Sequence, residues 1–169
     1  MKRRQLISLL ILILSCWGCT QNSSESIQSG QTLFTLLSPE QTNVDFANHL
    51  QDEKDRNILI YNNYYNGGGV GLGDFNKDGL LDIFFTGNLV ADRLYLNKGD
   101  MTFEDVTEAA GIMDDGAWSS GVTVVDINQD GWLDIYVSRD LYDSDRNLRT
   151  NVLYINQGDM TFKNEAQKY

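Results

Sequence analysis

Histidine, proline and cysteine are almost missing from this 169-residue chain, which has one, one and two of them respectively. The lone histidine, His49, has no second histidine and no later cysteine to work with. It stands beside Phe46 and Leu50, a setting that suits a structural or surface residue better than a catalyst or a metal ligand. No Ser/His/Asp, Cys/His or HExxH arrangement can be assembled. The two cysteines, Cys16 and Cys19, lie close together near the N-terminus, so no disulfide can staple the remainder. An exported domain without disulfides needs another clamp, and a bound metal is one option. Long apolar runs are missing too. The longest, Leu6 to Leu14, falls well short of the roughly 20 residues a membrane-spanning helix requires. Positive charge is scarce, with 13 Lys and Arg against 24 Asp and Glu and a net charge of −11. That balance opposes nucleic-acid binding, which draws most of its affinity from cationic contacts to phosphate.

Glycine and aromatic residues are plentiful: 15 Gly, 8 Tyr, 7 Phe and 3 Trp. This composition favours β-structure with many turns. The N-terminus reads as an address. In residues 1–15, Lys2, Arg3 and Arg4 precede the apolar run, as in a secretory signal. Ile13-Leu14-Ser15-Cys16 resembles a bacterial lipobox, so lipidation is expected at Cys16, with Cys19 as the alternative. An ordinary secretory signal is the plainer reading. Acyl chains on the cysteine would anchor the protein to a membrane, its only expected membrane contact, at the outer membrane or cell surface. Residues 16–30 are polar and read as a flexible tether.

Aligned with itself, the chain shows a repeat. Gly69 to Asn88 matches Gly121 to Asp140 at a shift of 52, and the stretch from Leu94 matches that from Leu153 at a shift of 59. The difference is an insertion within Leu141 to Asn151. Each unit, 69–111 and 121–169, reads as four short strands separated by Gly, Asn and Asp. This predicts an all-β fold of antiparallel four-stranded blades of the β-propeller type, two clear blades of an incomplete propeller. Residues 31–68 read as a β segment, a partial blade or a cap.

Both units carry D-x-N-x-D-G-x-x-D: Asp74, Asn76, Asp78, Gly79 and Asp82, then Asp126, Asn128, Asp130, Gly131 and Asp134. Alternating acids and amides can turn oxygens inward around a tight loop, the donor type that Ca2+ prefers. The carbonyls of Leu80 and Trp132 are candidate ligands as well. The opening matches an EF-hand, but position twelve is Phe85 or Val137 instead of an acid, and the flanks are β-type. The plainer reading is a pair of Asx-rich turns that hold no metal.

These loops resemble FG-GAP or VCBS repeats. Over residues 31–169 the chain is similar to the N-terminal part of bacterial lipoproteins of the ASPIC/UnbV-associated, CRTAC-like family. The resemblance implies about two Ca2+ sites, one at Asp74, Asn76, Asp78, the Leu80 carbonyl and Asp82, the other at Asp126, Asn128, Asp130, the Trp132 carbonyl and Asp134. It also implies a longer protein, of which this chain is a fragment. The expected function is non-catalytic binding or adhesion to a protein or glycan at the cell surface. Trp118 and Trp132 are candidates for stacking on sugars, although strand-spaced aromatics more often belong to the core. Purely structural spacer repeats are the alternative, and part of a carboxylate-based hydrolase is a further one.

Overall fold

The computed structural model describes residues 33–113, 115–140 and 147–169. The expected signal segment, Cys16, Cys19, the tether and positions 141–146 of the insertion lie outside the described residues. The chain divides into two units, Met1–Leu36 and Leu37–Tyr169. In the first, only Leu33–Leu36 are described, and they are exposed and form no regular element. The second holds every element that follows.

It opens with a single helical turn, α1 (Pro39–Thr42). Pro39 occupies the first turn, where its missing N–H costs nothing, and the Gln41 side chain accepts the Ser38 N–H at 2.9 Å. Asn43, at φ 58°, ends the turn. From Val44 to Leu50 exposure alternates residue by residue, as on a strand. No described residue from 33 to 68 joins a ladder, however, so the strands expected there are not formed. The segment is held by side chains instead. The Phe46 ring stacks on Phe85 at 4.8 Å, Tyr95 Oη donates to Asp45 at 2.9 Å, and Asn48 and Asn88 exchange two bonds of 2.7 and 2.9 Å. Side-chain groups here take the place of a backbone ladder.

Two four-stranded antiparallel sheets follow, each a simple meander. The first comprises β1 (Val70–Gly73), β2 (Asp82–Phe85), β3 (Arg93–Asn97) and β4 (Phe103–Asp105). The second comprises β5 (Ser119–Val125), β6 (Asp134–Arg139), β7 (Val152–Asn156) and β8 (Phe162–Asn164). A 3-10 turn at Asn147–Arg149 lies between β6 and β7. The registers correspond: Gly73 faces Asp82 as Val125 faces Asp134, and Asn97 faces Phe103 as Asn156 faces Phe162. The fold is thus nearly all β, consistent with two consecutive propeller blades, and the described strands do not close into a barrel.

The sheets pack face to face. Phe75, Phe84 and Leu94 meet Ile135, Val137, Val152, Tyr154 and Phe162, with Ala110 and Ile112 from the connecting turn completing the core. That turn is tied to the second sheet by Phe162 N–H to the Ala110 carbonyl (2.8 Å) and Met113 N–H to Tyr154 Oη (3.1 Å). Where β1 meets β5, glycine is a packing requirement. A Cβ at Gly71 would stand 3.0 Å from Val124 Cγ2, and one at Gly73 would stand 3.0 Å from both Leu133 Cδ1 and Val124 Cγ1. Gly73→Val is therefore expected to lower stability by about 1–3 kcal/mol through overpacking. Val70→Thr, on the exposed side of the same strand, is expected to stay within about 0.5 kcal/mol. Urea midpoints of the two variants test the contrast, and equal midpoints would refute the seam.

Candidate metal-binding loops

The two nine-residue loops join β1 to β2 and β5 to β6, and they have the same internal geometry. In the first, Asp78 N–H is shared by Asp74 Oδ1 and Asn76 Oδ1, both at 3.0 Å. Gly79 N–H donates to Asp74 Oδ2 at 2.9 Å, and Leu80 N–H to Asp78 Oδ1 at 2.8 Å. In the second, Asp130 N–H is shared by Asp126 Oδ1 and Asn128 Oδ1 at 3.1 Å. Gly131 N–H donates to Asp126 Oδ2 at 2.9 Å, and Trp132 N–H to Asp130 Oδ1 at 2.8 Å. The backbone follows suit. Lys77 and Gln129 both have φ 60°, and Gly79 and Gly131 have φ 88° and 87°, the left-handed region that glycine enters without a Cβ penalty. Phe85 and Val137, at position twelve, lie on β2 and β6 opposite Val70 and Val122, so strands occupy the place of an EF-hand's second helix.

The closing aspartates are the most buried members. Asp82 and Asp134 are fully buried, and each carboxylate bridges two parts of its own sheet. Asp82 accepts Phe75 N–H and Asn97 N–H, both at 2.9 Å, and Asp134 accepts Ile127 N–H at 3.1 Å and Asn156 N–H at 2.9 Å. Burial pushes both carboxyls above the usual range. The N–H bonds oppose that shift, while the neighbouring Asp74 and Asp78, or Asp126 and Asp130, add to it.

Among the described residues, no three His, Cys, Asp or Glu side chains stand together as a ready-made metal cluster. The chemistry of the donor set still fits a hard cation. Each loop offers three carboxylates and one amide oxygen, with no nitrogen or sulfur ligand, and two of those oxygens already converge on one N–H. Asp78 Oδ2 and Asp130 Oδ2 are meanwhile held by the Asn76 and Asn128 amide groups at 2.9 and 2.8 Å.

Three features of the surroundings are absent from the motif. Asn97 and Asn156 end β3 and β7 and pin the closing aspartates through their N–H groups. The signal for them was present as the shared Asn-x-Gly turn, which reads as a hairpin alone. Lys77 Nζ lies over the Trp132 ring at 3.9 Å, from one loop to the other. Between the sheets sits a buried acid, Asp92, which accepts Gly87 N–H at 2.9 Å and Ser119 Oγ–H at 3.1 Å. Arg139 lies nearby, gripped by Asp115 through two bonds of 2.8 and 3.1 Å. Burial pushes the Asp92 carboxyl up to about 6, against its two hydrogen bonds and the Arg139 charge.

The two described tryptophans are both covered, at least in part. Trp118 is buried against Tyr61 (5.3 Å) and Tyr64 (5.4 Å), and Trp132 is half-buried beneath Lys77. His49 is exposed. Among the described residues, no helix is long and apolar enough to cross a membrane.

Residues 74–137, from the start of the first loop into β6, match the model of the FG-GAP-like repeat family. That stretch contains both nine-residue loops, and together with the paired meanders it is consistent with a fragment of a propeller.

Among individual proteins, the chain is 35% identical over 77 residues to cartilage acidic protein 1 of Xenopus tropicalis, covering 46% of this chain and 12% of that protein. It is 36% identical over 72 residues to cartilage acidic protein 1 of Homo sapiens, covering 43% of this chain and 11% of that protein. The similarity therefore spans only a small part of these relatives' length.

Proposed function

We infer that this chain is a non-catalytic repeat module whose two D-x-N-x-D-G-x-x-D loops each take up one calcium ion. The observation that carries this reading is the duplicated loop geometry: the same bonds, to within about 0.2 Å, on two loops whose outer residues differ. Turn propensity alone explains Asn, Asp and Gly in a turn, but not three carboxylates in one small loop, twice. Asp74, Asn76, Asp78 and Asp82 would hold one ion with the Leu80 carbonyl. Asp126, Asn128, Asp130 and Asp134 would hold the other with the Trp132 carbonyl. The ion would neutralise the crowded acids and tie the loop to its strands. Because Asp82 and Asp134 are also bonded to Asn97 and Asn156, the cation would brace β2 against β3 and β6 against β7.

The loop acids are accounted for by this role, and His49 is exposed. The module would serve as an exported, lipid-anchored binding or adhesion element for a protein or glycan, or as spacer blades in a longer protein. Isothermal calorimetry tests the calcium reading. Heat corresponding to about two ions per chain is expected, with dissociation constants of roughly 10⁻⁴–10⁻³ M as in extracellular modules. It should vanish in Asp74→Asn with Asp126→Asn, which keep the side-chain shape and one of the two acceptor oxygens in each loop. Absence of heat at millimolar calcium, or heat unchanged by the double substitution, would sink it.

A further inference from the structure

We propose that the two loops respond to calcium as a coupled pair, with Lys77 acting as a positioning residue that carries the state of the first loop to Trp132 in the second. The inference rests on the calcium reading above. Lys77 sits between Asn76 and Asp78, two of the candidate ligands, and its left-handed backbone at φ 60° turns it at the loop's tightest point. Its ammonium group does not pair with those acids. It reaches across to the Trp132 ring, 3.9 Å from the centroid, where the ring's negative face attracts a cation. It also borders the second loop's glycine, since a Cβ at Gly131 would stand 3.4 Å from Lys77 Nζ.

Trp132 also abuts the β7–β8 turn, so closely that a Cβ at Gly158 would stand 3.1 Å from the indole Nε1. The indole thus touches both a group from the first loop and a turn of its own sheet. A second link runs beneath it. The buried Asn156 side chain donates to the Phe75 carbonyl of the first loop at 2.9 Å, while its N–H donates to Asp134. Asn156 also donates to the Leu133 carbonyl of its own sheet at 3.3 Å, as the equivalent Asn97 does to Leu81 at 3.0 Å, so the bond to Phe75 is the additional one that links the two loops. Gln129, at the position of Lys77 in the second loop, is uncharged and cannot make the same contact.

Closing the first loop around an ion fixes Asn76 and Asp78, and with them the stem of Lys77 between. That changes the field and the contact at Trp132, whose backbone N–H is already part of the second loop's bond pattern. The indole serves as the reporter.

The test uses the full chain with the second loop disabled by Asp126→Asn and Asp130→Asn, each of which keeps one of the two acceptor oxygens the aspartate used. Calcium is titrated while heat and tryptophan emission are followed together. One site should remain by calorimetry, and its filling should shift the emission. The shift should disappear in Trp132→Phe and in Lys77→Met, which retains the apolar stem without the charge, and it should return in Lys77→Arg. In the reciprocal chain, Asp74→Asn with Asp78→Asn, the second loop's affinity should fall by at least about fivefold, because coupling is mutual. Heat without an emission shift, or a shift that survives Lys77→Met, would overturn the coupling and leave calcium binding intact. Absence of heat in the unsubstituted chain would overturn both, and is distinguished by that control.

Discussion

Adding calcium to about 10 mM after chelator treatment is expected to raise the unfolding free energy by about 3–5 kcal/mol, the sum for two sites with dissociation constants near 10⁻⁴–10⁻³ M. For a folded unit of this size that is a rise in melting temperature of about 10–20 °C. The effect runs through the closing aspartates. Without a cation, burial and then the loop's other acids push each closing carboxyl's pKa up, against the pull of its two N–H donors. A bound cation would turn that repulsion into attraction and would stabilise the folded form alone, since the unfolded chain has no preformed site. Magnesium at the same concentration should do much less, because it demands a smaller octahedral cage and gives up water reluctantly. Thermal melts in chelator, calcium and magnesium decide the matter. Coincident melts in all three would contradict the proposal, and the same experiment on Asp74→Asn with Asp126→Asn should collapse the calcium curve onto the chelator curve.

The second large effect lies away from the loops. Asp92→Asn is expected to stabilise the chain at neutral pH. The ordinary carboxyl value of 3.8 and the folded value of about 6 differ by an amount worth about 3 kcal/mol against the fold once the group is ionised. The sign follows from linkage. The folded state holds this proton more tightly than the unfolded one, so the penalty is absent below the unfolded value and grows as pH rises through about 6. The second sheet already carries the replacement. Asn151 Oδ1 accepts Arg139 N–H at 2.8 Å, just as Asp92 Oδ1 accepts Gly87 N–H at 2.9 Å, at matching places in the two repeats. An amide can therefore make the structural bond without the charge, and its NH₂ group can meet Ser119 Oγ. Of the other charged groups nearby, Arg139 remains gripped by Asp115, and Tyr154 stays neutral, with its hydroxyl pushed up to about 12 by burial. The gain should be part of 3 kcal/mol, because Arg139 loses one attractive neighbour. Its pH profile is the sharper readout. The advantage over the unsubstituted chain should shrink by about 1.4 kcal/mol between about pH 8 and pH 5 in chelator. A constant advantage across that range would show that Asp92 does not titrate there.

Both meanders, and the positions of the two loops between their strands, were readable because the chain states the same information twice. The shift of 52 brings the loops into register, and the shift of 59 does the same for the Asn-x-Gly turns. Phe85 and Val137 excluded the EF-hand from sequence, and the strands around them agree. Residues 44–50 misled for a physical reason. Their burial alternates with period two, as a strand's does, but the segment is held through the Asp45 and Asn48 side chains, bonded to Tyr95 Oη and to the side chain and N–H of Asn88, and not through a backbone ladder. Lys77 was illegible because its partner lies in the other repeat, and a repeat alignment compares equivalent positions instead of neighbouring ones. Asp92 was hidden among 24 acids, since composition does not say which of them is taken out of water.

The seam between β1 and β5 also has a direction. Val122 and Val124 project from β5 into the space left by Gly71 and Gly73. Their counterparts on β1, Val70 and Leu72, are 58% and 56% exposed, while the counterparts of the two glycines on β5 are Thr123 and Val125. One strand thus supplies sockets and its neighbour supplies pegs, and the two surfaces are not interchangeable. Pairing two copies about a two-fold axis through the peg side would set branched side chains against branched side chains with no recess to receive them. Contacts built on this pattern are heterologous, each unit meeting the next with a different face, so the order of the repeats along the chain also fixes the sense in which they stack.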